Sequence, residues 1–144
     1  MLEEQKKLCW EDIDWEAAEI EILKTKAKTA QHRMVPILAP LVAWLGPLRQ
    51  KSGLIHKLAK IDQPTLRLAR TLGIQWETNA LRHSFGTYRY AATKNASLVA
   101  CEMGNSVKMV MSNYRRVVRG KLSEEFWKLQ RPQTAEIIPL QSAV

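Results

Sequence analysis

The sequence predicts a mainly α-helical domain with a small antiparallel β-sheet near its N-terminus. Ile20 and Ile22 alternate with Glu19 and Glu21, which is the period of a strand that buries one face. From Ala39 onwards, apolar residues instead recur every three or four positions, as they do along helices that bury one side. With 144 residues the chain is long enough for one domain with a hydrophobic core.

Two strands joined by a basic hairpin make up the predicted sheet. The first strand contains Ile20 and Ile22, and the polar segment 24–33 that follows carries lysines at positions 24, 26 and 28. The second strand runs over Arg33–Leu38. The hairpin lacks an Asn-Gly pair, so its turn type is left open.

Three helices are predicted between Ala39 and Gly73. Pro40 suits the first turn of the first helix. Its predicted buried face consists of Leu41, Val42, Leu45 and Leu48. A short second helix is indicated by Ile55, Leu58 and Ala59. Asp62 as N-cap, followed by Pro64, opens the third helix, which stops near Gly73.

Two further helices are predicted between Thr78 and Gly104. Thr78 is the expected N-cap of the first, which ends near Lys94. A short helix over Ala96–Met103 follows, and Gly104 is expected to close it because glycine readily adopts the left-handed conformation of a helix C-terminus.

The remaining helices are predicted between Ser106 and Pro132. Ser106 caps a helix that Gly120 ends, and Ser123 starts the last helix, which Pro132 stops. The apolar stripe after Ser106 consists of Val107, Val110, Met111 and Tyr114. Residues 1–130 are therefore expected to form one domain, and residues 131–144 a mobile tail.

Composition narrows the possible partners and surroundings. The net charge is +8, which favours a polyanionic partner, nucleic acid before membrane, although many basic domains bind neither. Cys9 and Cys101 form no CxxC pair, so no zinc signature is present and no metal site is predicted. The longest uncharged run, Met34–Leu48, contains three prolines and falls short of the ~20 residues of a membrane span. We expect a cytoplasmic, nucleoid-associated protein without a membrane partner.

The chain is organised around residues 79–114, where three features stand at fixed distances. These are the pair Arg82 and His83, the turn Met103–Ser106, and Tyr114, nine residues beyond Asn105. An arginine, a polar turn residue and a tyrosine are the groups needed to hold a phosphodiester and attack it. This spacing resembles the C-terminal signature of the tyrosine recombinases, or phage-type integrases, whose catalytic domain has the mainly helical architecture predicted above.

The resemblance implies site-specific DNA recombination or integration without metal or cofactor. Tyr114 matches the nucleophile, which forms a 3′-phosphotyrosyl bond with DNA. Arg82 matches an arginine that grips nonbridging phosphate oxygens with its two-pronged guanidinium. Lys28, eight residues before Pro36, matches the hairpin lysine that protonates the leaving 5′-oxygen. Double-stranded DNA is the implied partner, and recombination of this kind uses a homotetramer on two duplexes.

Further residues are candidates for contacts to DNA. Arg115 and Arg116 follow the tyrosine, and Arg89 lies two turns beyond Arg82. In the hairpin, Lys24 and Lys26 compete with Lys28. His83 is interpreted as a structural hydrogen-bonding residue beside the phosphate. Each of these also has a plainer interpretation, as a solvated charge or a surface salt bridge, and Tyr114 itself could simply be core. Gly86, one turn beyond Arg82, is expected to leave room for close backbone approach.

Three positions depart from the family pattern. Asn79 stands where histidine is usual in the family, and Asn105 stands where histidine or tryptophan is usual. Asparagine can donate a hydrogen bond to phosphate but cannot titrate near neutral pH. The family's first catalytic arginine, counted back from Trp10, would fall at Met1. The prediction is thus a catalytic domain over residues 1–130 that lacks its first helix or helices. The alternatives are a non-catalytic DNA-binding remnant and a basic interaction module.

Overall fold

The computed structural model describes residues 7–25, 32–57, 62–114 and 120–129. Within them the chain forms a small antiparallel sheet followed by six α-helices, which confirms the predicted mainly helical class. The strands are β1 (Ile13–Asp14), β2 (Glu19–Ile22) and β3 (Arg33–Pro36). The helices are α1 (Ala39–Leu45), α2 (Asp62–Thr71), α3 (Ala80–Thr93), α4 (Ala96–Met103), α5 (Val107–Tyr114) and α6 (Gly120–Trp127).

The sheet has the order β1-β2-β3, and both of its strand pairs are antiparallel. Ile20 pairs with Ile13 on one side and with Val35 on the other. The strand β1 was not predicted, because two residues after a turn are too short to show a period. The predicted second strand ends at Pro36 rather than Leu38, because Pro36 pairs with Glu19, the first residue of β2, and the next N–H, that of Ile37, donates to the Ala18 carbonyl in the turn before β2.

The N-terminal core is built around Trp10. Four buried residues form this cluster: Trp10, Ile13, Ile20 and Ile37. The segment on either side of Cys9 pairs with a later loop, where the Trp10 N–H donates to the Gly53 carbonyl at 2.8 Å and the Ile55 N–H donates to the Leu8 carbonyl at 3.0 Å. Ile55 is thereby held outside any helix, so the short helix predicted around it is not seen; Leu58 and Ala59 lie outside the described residues.

The predicted buried face of α1 is wrong for three of its four residues. Leu41, Val42 and Leu48 are between 38% and 47% exposed, and only Leu45 packs against the Trp10 cluster. The period therefore located the helix, while its neighbours leave most of that face uncovered among the described residues.

A second core holds α3, α4 and α5 together. Its buried residues are Val99, Ala100, Met103, Val110 and Tyr114. On α5 the predicted stripe is half right, because Val110 and Tyr114 are buried whereas Val107 is 45% and Met111 37% exposed. One side of α5 packs against α3 and α4. On a helix of eight residues, this contact buries two positions that are four residues apart, Val110 and Tyr114.

Aromatic contacts attach α6 to α3. Phe126 stacks on Tyr88 with ring centroids 4.1 Å apart, and the Trp127 indole N–H donates to the Tyr88 carbonyl at 3.3 Å. Gly120 lies in α6, and the residues between it and α5 are outside the described part of the chain, so its predicted role as the end of α5 is not tested. Ser123 lies buried inside α6 instead of starting it. The tail 131–144 lies outside the described residues. Among the helices that the structure describes, none is long and apolar enough to cross a membrane.

Candidate functional site

The turn between α4 and α5 is fixed by hydrogen bonds at both helix ends. Gly104 has a φ of 63°, and its N–H and that of Asn105 donate to the carbonyls of Cys101 at 3.2 Å and Ala100 at 2.9 Å. This pair of bonds closes α4 in a Schellman motif. The Ser106 hydroxyl then accepts from the Met109 N–H at 3.2 Å. The predicted roles of Gly104 and Ser106 are confirmed, and Asn105 is held in place between them.

Arg82 and Asn105 are brought together at this turn. The Arg82 Nη2 donates to the Met103 carbonyl at 2.9 Å and to the Asn105 side-chain oxygen at 2.7 Å. Both oxygens accept a hydrogen bond from the same nitrogen, Nη2. Nε and Nη1 of Arg82 have no hydrogen-bond partner among the described residues, and the side chain is exposed. The arginine is therefore oriented while keeping donors for an anion.

Tyr114 lies in the core between α3 and α5. Its side chain is 2% exposed, and its ring centroid lies 5.6 Å from that of His83. A methyl group at Gly86 would come within 3.0 Å of the Tyr114 ring and 2.9 Å of the Met103 sulfur. The room that Gly86 leaves is thus filled by the side chains of Tyr114 and Met103 and not by the predicted close approach of a backbone. In this conformation the tyrosine ring serves packing.

An open cleft of about 690 Å³ lies beside Tyr114, between the start of α3 and the last turn of α5. Its described lining consists of Glu77, Thr78, Ala80, His83, Thr87, Ser112 and Asn113. Of these, only His83 was a predicted site residue. Ser112 and Asn113 carried no sequence signal beyond their position before Tyr114. The Glu77 carboxylate makes this cleft less favourable for a phosphate than the Arg82 turn.

Arg89 has a different partner from the predicted phosphate. It donates from Nε to the Glu102 carboxylate at 2.9 Å and from Nη2 at 2.6 Å. The Arg89 side chain is 17% exposed and that of Glu102 is 2% exposed, so the two form a largely buried, bidentate ion pair between α3 and α4. The pairing favours a structural role for Arg89. Glu102, the one charged residue of α4, is the feature of the sequence that indicates such a partner.

Asn79 occupies the residue before α3 in the left-handed conformation, with a φ of 58°. It stands in the N-cap position that was predicted for Thr78, although its side chain makes no capping hydrogen bond. Asparagine is one of the few residues with a side chain that commonly adopt this conformation. The backbone therefore accounts for asparagine here, and none of its described hydrogen bonds joins it to Arg82 or Asn105.

Four predicted site residues lie outside the described residues. They are Lys26 and Lys28 in the hairpin, and Arg115 and Arg116 after α5. The part of the chain that the structure describes contains no group of three or more His, Cys, Asp or Glu side chains able to hold a metal ion.

Comparison with protein-family models, with curated proteins and with solved structures finds no match to this chain. The likeness to tyrosine recombinases therefore stays an expectation drawn from the residues of the 79–114 segment.

Proposed function

We propose that this chain binds double-stranded DNA and exchanges its strands through a 3′-phosphotyrosyl intermediate. The observation that carries the proposal is the orientation of Arg82 by the Met103 carbonyl and Asn105, which leaves two of its nitrogens able to donate. Arg82 also lies one helical turn from Gly86, against which the Tyr114 ring packs. A phosphate-binding group and a nucleophile are thus neighbours on one side of α3.

The proposed reaction exchanges one phosphodiester for another. The Tyr114 oxygen attacks phosphorus, the bond to the 5′-oxygen breaks, and the resemblance assigns the proton for that oxygen to Lys28. Arg82 donates to the nonbridging oxygens, where negative charge increases in the transition state. The phenolic proton has to leave, and His83, whose ring packs against that of Tyr114, is proposed to accept it, in place of the structural role expected from the sequence. Attack by another strand's 5′-hydroxyl reverses these steps.

The burial of Tyr114 adds a requirement to this mechanism. Because the side chain is 2% exposed, the end of α5 must move before its hydroxyl can reach a phosphate. Cleavage would then follow DNA binding, and the resting protein would be inactive. We expect the assembly on two duplexes, a tetramer by analogy with tyrosine recombinases, to supply the contacts that drive this movement.

The same burial favours a second candidate function, DNA binding without cleavage. In that case Tyr114 is only a core residue, and Arg82 holds a phosphate that is never attacked. A basic module that packs on another protein is a third possibility, and salt dependence separates it, because DNA affinity should fall steeply with salt concentration only where phosphates are contacted.

Trapping the covalent intermediate distinguishes the first two functions. Duplexes that bind the protein are selected from a random pool, and nicked versions are prepared so that the cleaved strand cannot be rejoined. Strand transfer predicts a protein–DNA adduct that survives denaturant and is absent for Tyr114→Phe. An adduct missing from the wild-type protein on DNA that it binds would instead support binding without cleavage.

A further inference from the structure

Arg33 reaches the same turn as Arg82, from strand β3. It is the first residue of β3, and its guanidinium lies against the Cα atom of Gly104. A methyl group at Gly104 would come within 2.8 Å of Nη1, 2.9 Å of Cζ and 3.2 Å of Nη2 of Arg33. The missing side chain of Gly104 is therefore what admits this guanidinium to the turn.

The two arginines bracket Gly104. Arg82 bonds to the residues before and after it, Met103 and Asn105, while Arg33 covers the glycine itself. Two cations at one turn repel each other, and an anion bound between them would remove this repulsion. The carbonyl end of α4 supplies only a partial negative charge. Neither arginine takes part in any of the ion pairs between described residues, which join His32 to Glu21, Arg89 to Glu102 and Lys128 to Glu124.

Fold stability alone does not account for an arginine at position 33. Its Nε is buried without a hydrogen-bond partner among the described residues. Burying such a donor is unfavourable, and native proteins normally provide an acceptor. By contrast, Arg89 is a structural arginine of the same domain, and its Nε and Nη2 both bond to the Glu102 carboxylate. Arg33 thus buries its Nε as a structural arginine does, but without the hydrogen bonds of one.

We propose that Arg33 and Arg82 together form one phosphate-binding site at the Gly104 turn, with a DNA phosphodiester as the ligand; this assignment rests on the proposed DNA-binding function. Each guanidinium presents nitrogens that can donate to a nonbridging oxygen, and two such groups can hold both oxygens of one phosphodiester. The bound phosphate also replaces the repulsion between the arginines by two attractive contacts.

Inorganic phosphate tests whether the site is shared, independently of DNA. In a titration of the intact protein followed by NMR, the Nε–H signals of Arg33 and Arg82 should shift with the same dissociation constant. The variant Arg33→Gln should weaken the phosphate response at Arg82 about tenfold or more. Unequal constants, or an unchanged response at Arg82, would overturn the proposal. A thermal melt shows whether Arg33→Gln is folded. If it is not, the titration uses Arg33→Lys, which keeps the positive charge but not the planar guanidinium.

DNA binding provides the second arm. Arg33→Gln should lower duplex affinity about tenfold and reduce the slope of affinity against salt by about one, as loss of one phosphate contact does. Arg67→Gln on the exposed part of α2 is the matched control for the same loss of charge. The effects of Arg33→Gln and Arg82→Gln should not be additive, because both side chains hold the same phosphate.

The two arms separate the possible failures. An effect of Arg33→Gln no larger than that of Arg67→Gln, or additive losses with Arg82→Gln, would refute the shared site and leave the proposed function standing. Coupled phosphate binding without affinity for DNA would refute the proposed function and leave a two-arginine site for free phosphate.

Discussion

Replacing Glu102 by glutamine should destabilise this domain severely, although the two side chains have nearly the same shape. The Glu102 carboxylate accepts from both Nε and Nη2 of Arg89, and its side chain is only 2% exposed. Glutamine removes the negative charge and one acceptor, because its amide nitrogen donates rather than accepts. Arg89 would then remain charged and mostly buried, opposite a group that repels one of its N–H bonds.

The expected cost follows from this burial. Removing one partner of a buried ion pair costs about 3–5 kcal/mol, because the other charge is left without compensation. Arg89 keeps 17% exposure and so retains some hydration, which places the value near the lower limit of about 3 kcal/mol. For a domain of this size such a loss corresponds to a drop in Tm of about 10 °C.

Urea unfolding measured side by side for Glu102→Gln and Glu124→Gln tests this expectation. Glu124 pairs with Lys128 at 3.9 Å, but both side chains are more than 70% exposed. The same substitution there should change the free energy of unfolding by no more than about 0.5 kcal/mol. Similar values for the two variants would show that the Arg89–Glu102 pair does not hold α3 against α4.

Three further predictions concern the site. Gly86→Ala should lower the free energy of unfolding by about 1 kcal/mol, since overlap with the Tyr114 ring outweighs the gain in helix propensity. Gly46→Ala is the control and should not lower it, because a methyl group there meets open space. A Gly86→Ala variant more stable than the wild-type protein would contradict the packing of Tyr114 on Gly86. Ser106→Ala should cost about 1 kcal/mol in thermal unfolding through the lost cap of α5, and no change would argue against that cap. Arg82→Lys should weaken duplex binding about tenfold in a fluorescence titration, because an ammonium lacks the planar guanidinium that lets one nitrogen bond Met103 and Asn105 while others donate to a phosphate. Unchanged affinity would remove Arg82 from the DNA interface.

Local chemistry is what the sequence predicts well in this chain. The alternation at Ile20 and Ile22 identified β2, and the residue types of the α4–α5 connection identified Gly104 as the end of one helix and Ser106 as the cap of the next. These features depend on a few adjacent residues and on backbone preferences that do not change with tertiary context.

Tertiary features were less accessible. The period of the sequence predicts the apolar face of α1. It does not predict that Leu41 and Val42 stay exposed, because their burial depends on which elements lie opposite that face. Likewise Arg89 resembled a phosphate ligand by its distance from Arg82, whereas its partner Glu102 lies 13 residues away on the next helix. A charge pattern alone cannot tell an arginine that binds DNA from one that is paired within the fold.

The candidate site was predicted in part. The spacing brought together Arg82 and Asn105, which do share a hydrogen bond. It did not indicate Arg33, because nothing in the sequence shows that β3 passes over the end of α4. The burial of Tyr114 was visible only as an alternative interpretation of the stripe it completes with Val110.

Locating the DNA-linked residue tests the central claim most directly. The adduct formed on a nicked duplex is digested with nuclease and trypsin, and the peptides are sequenced by mass spectrometry. Cleavage after Lys108 and Arg115 yields a peptide in which Tyr114 is the one tyrosine, while Tyr88 and Tyr90 fall in others. Strand transfer as proposed predicts a nucleotide on Tyr114. A nucleotide on Ser112 or on either other tyrosine, or unmodified peptides from protein that binds the duplex, would contradict it.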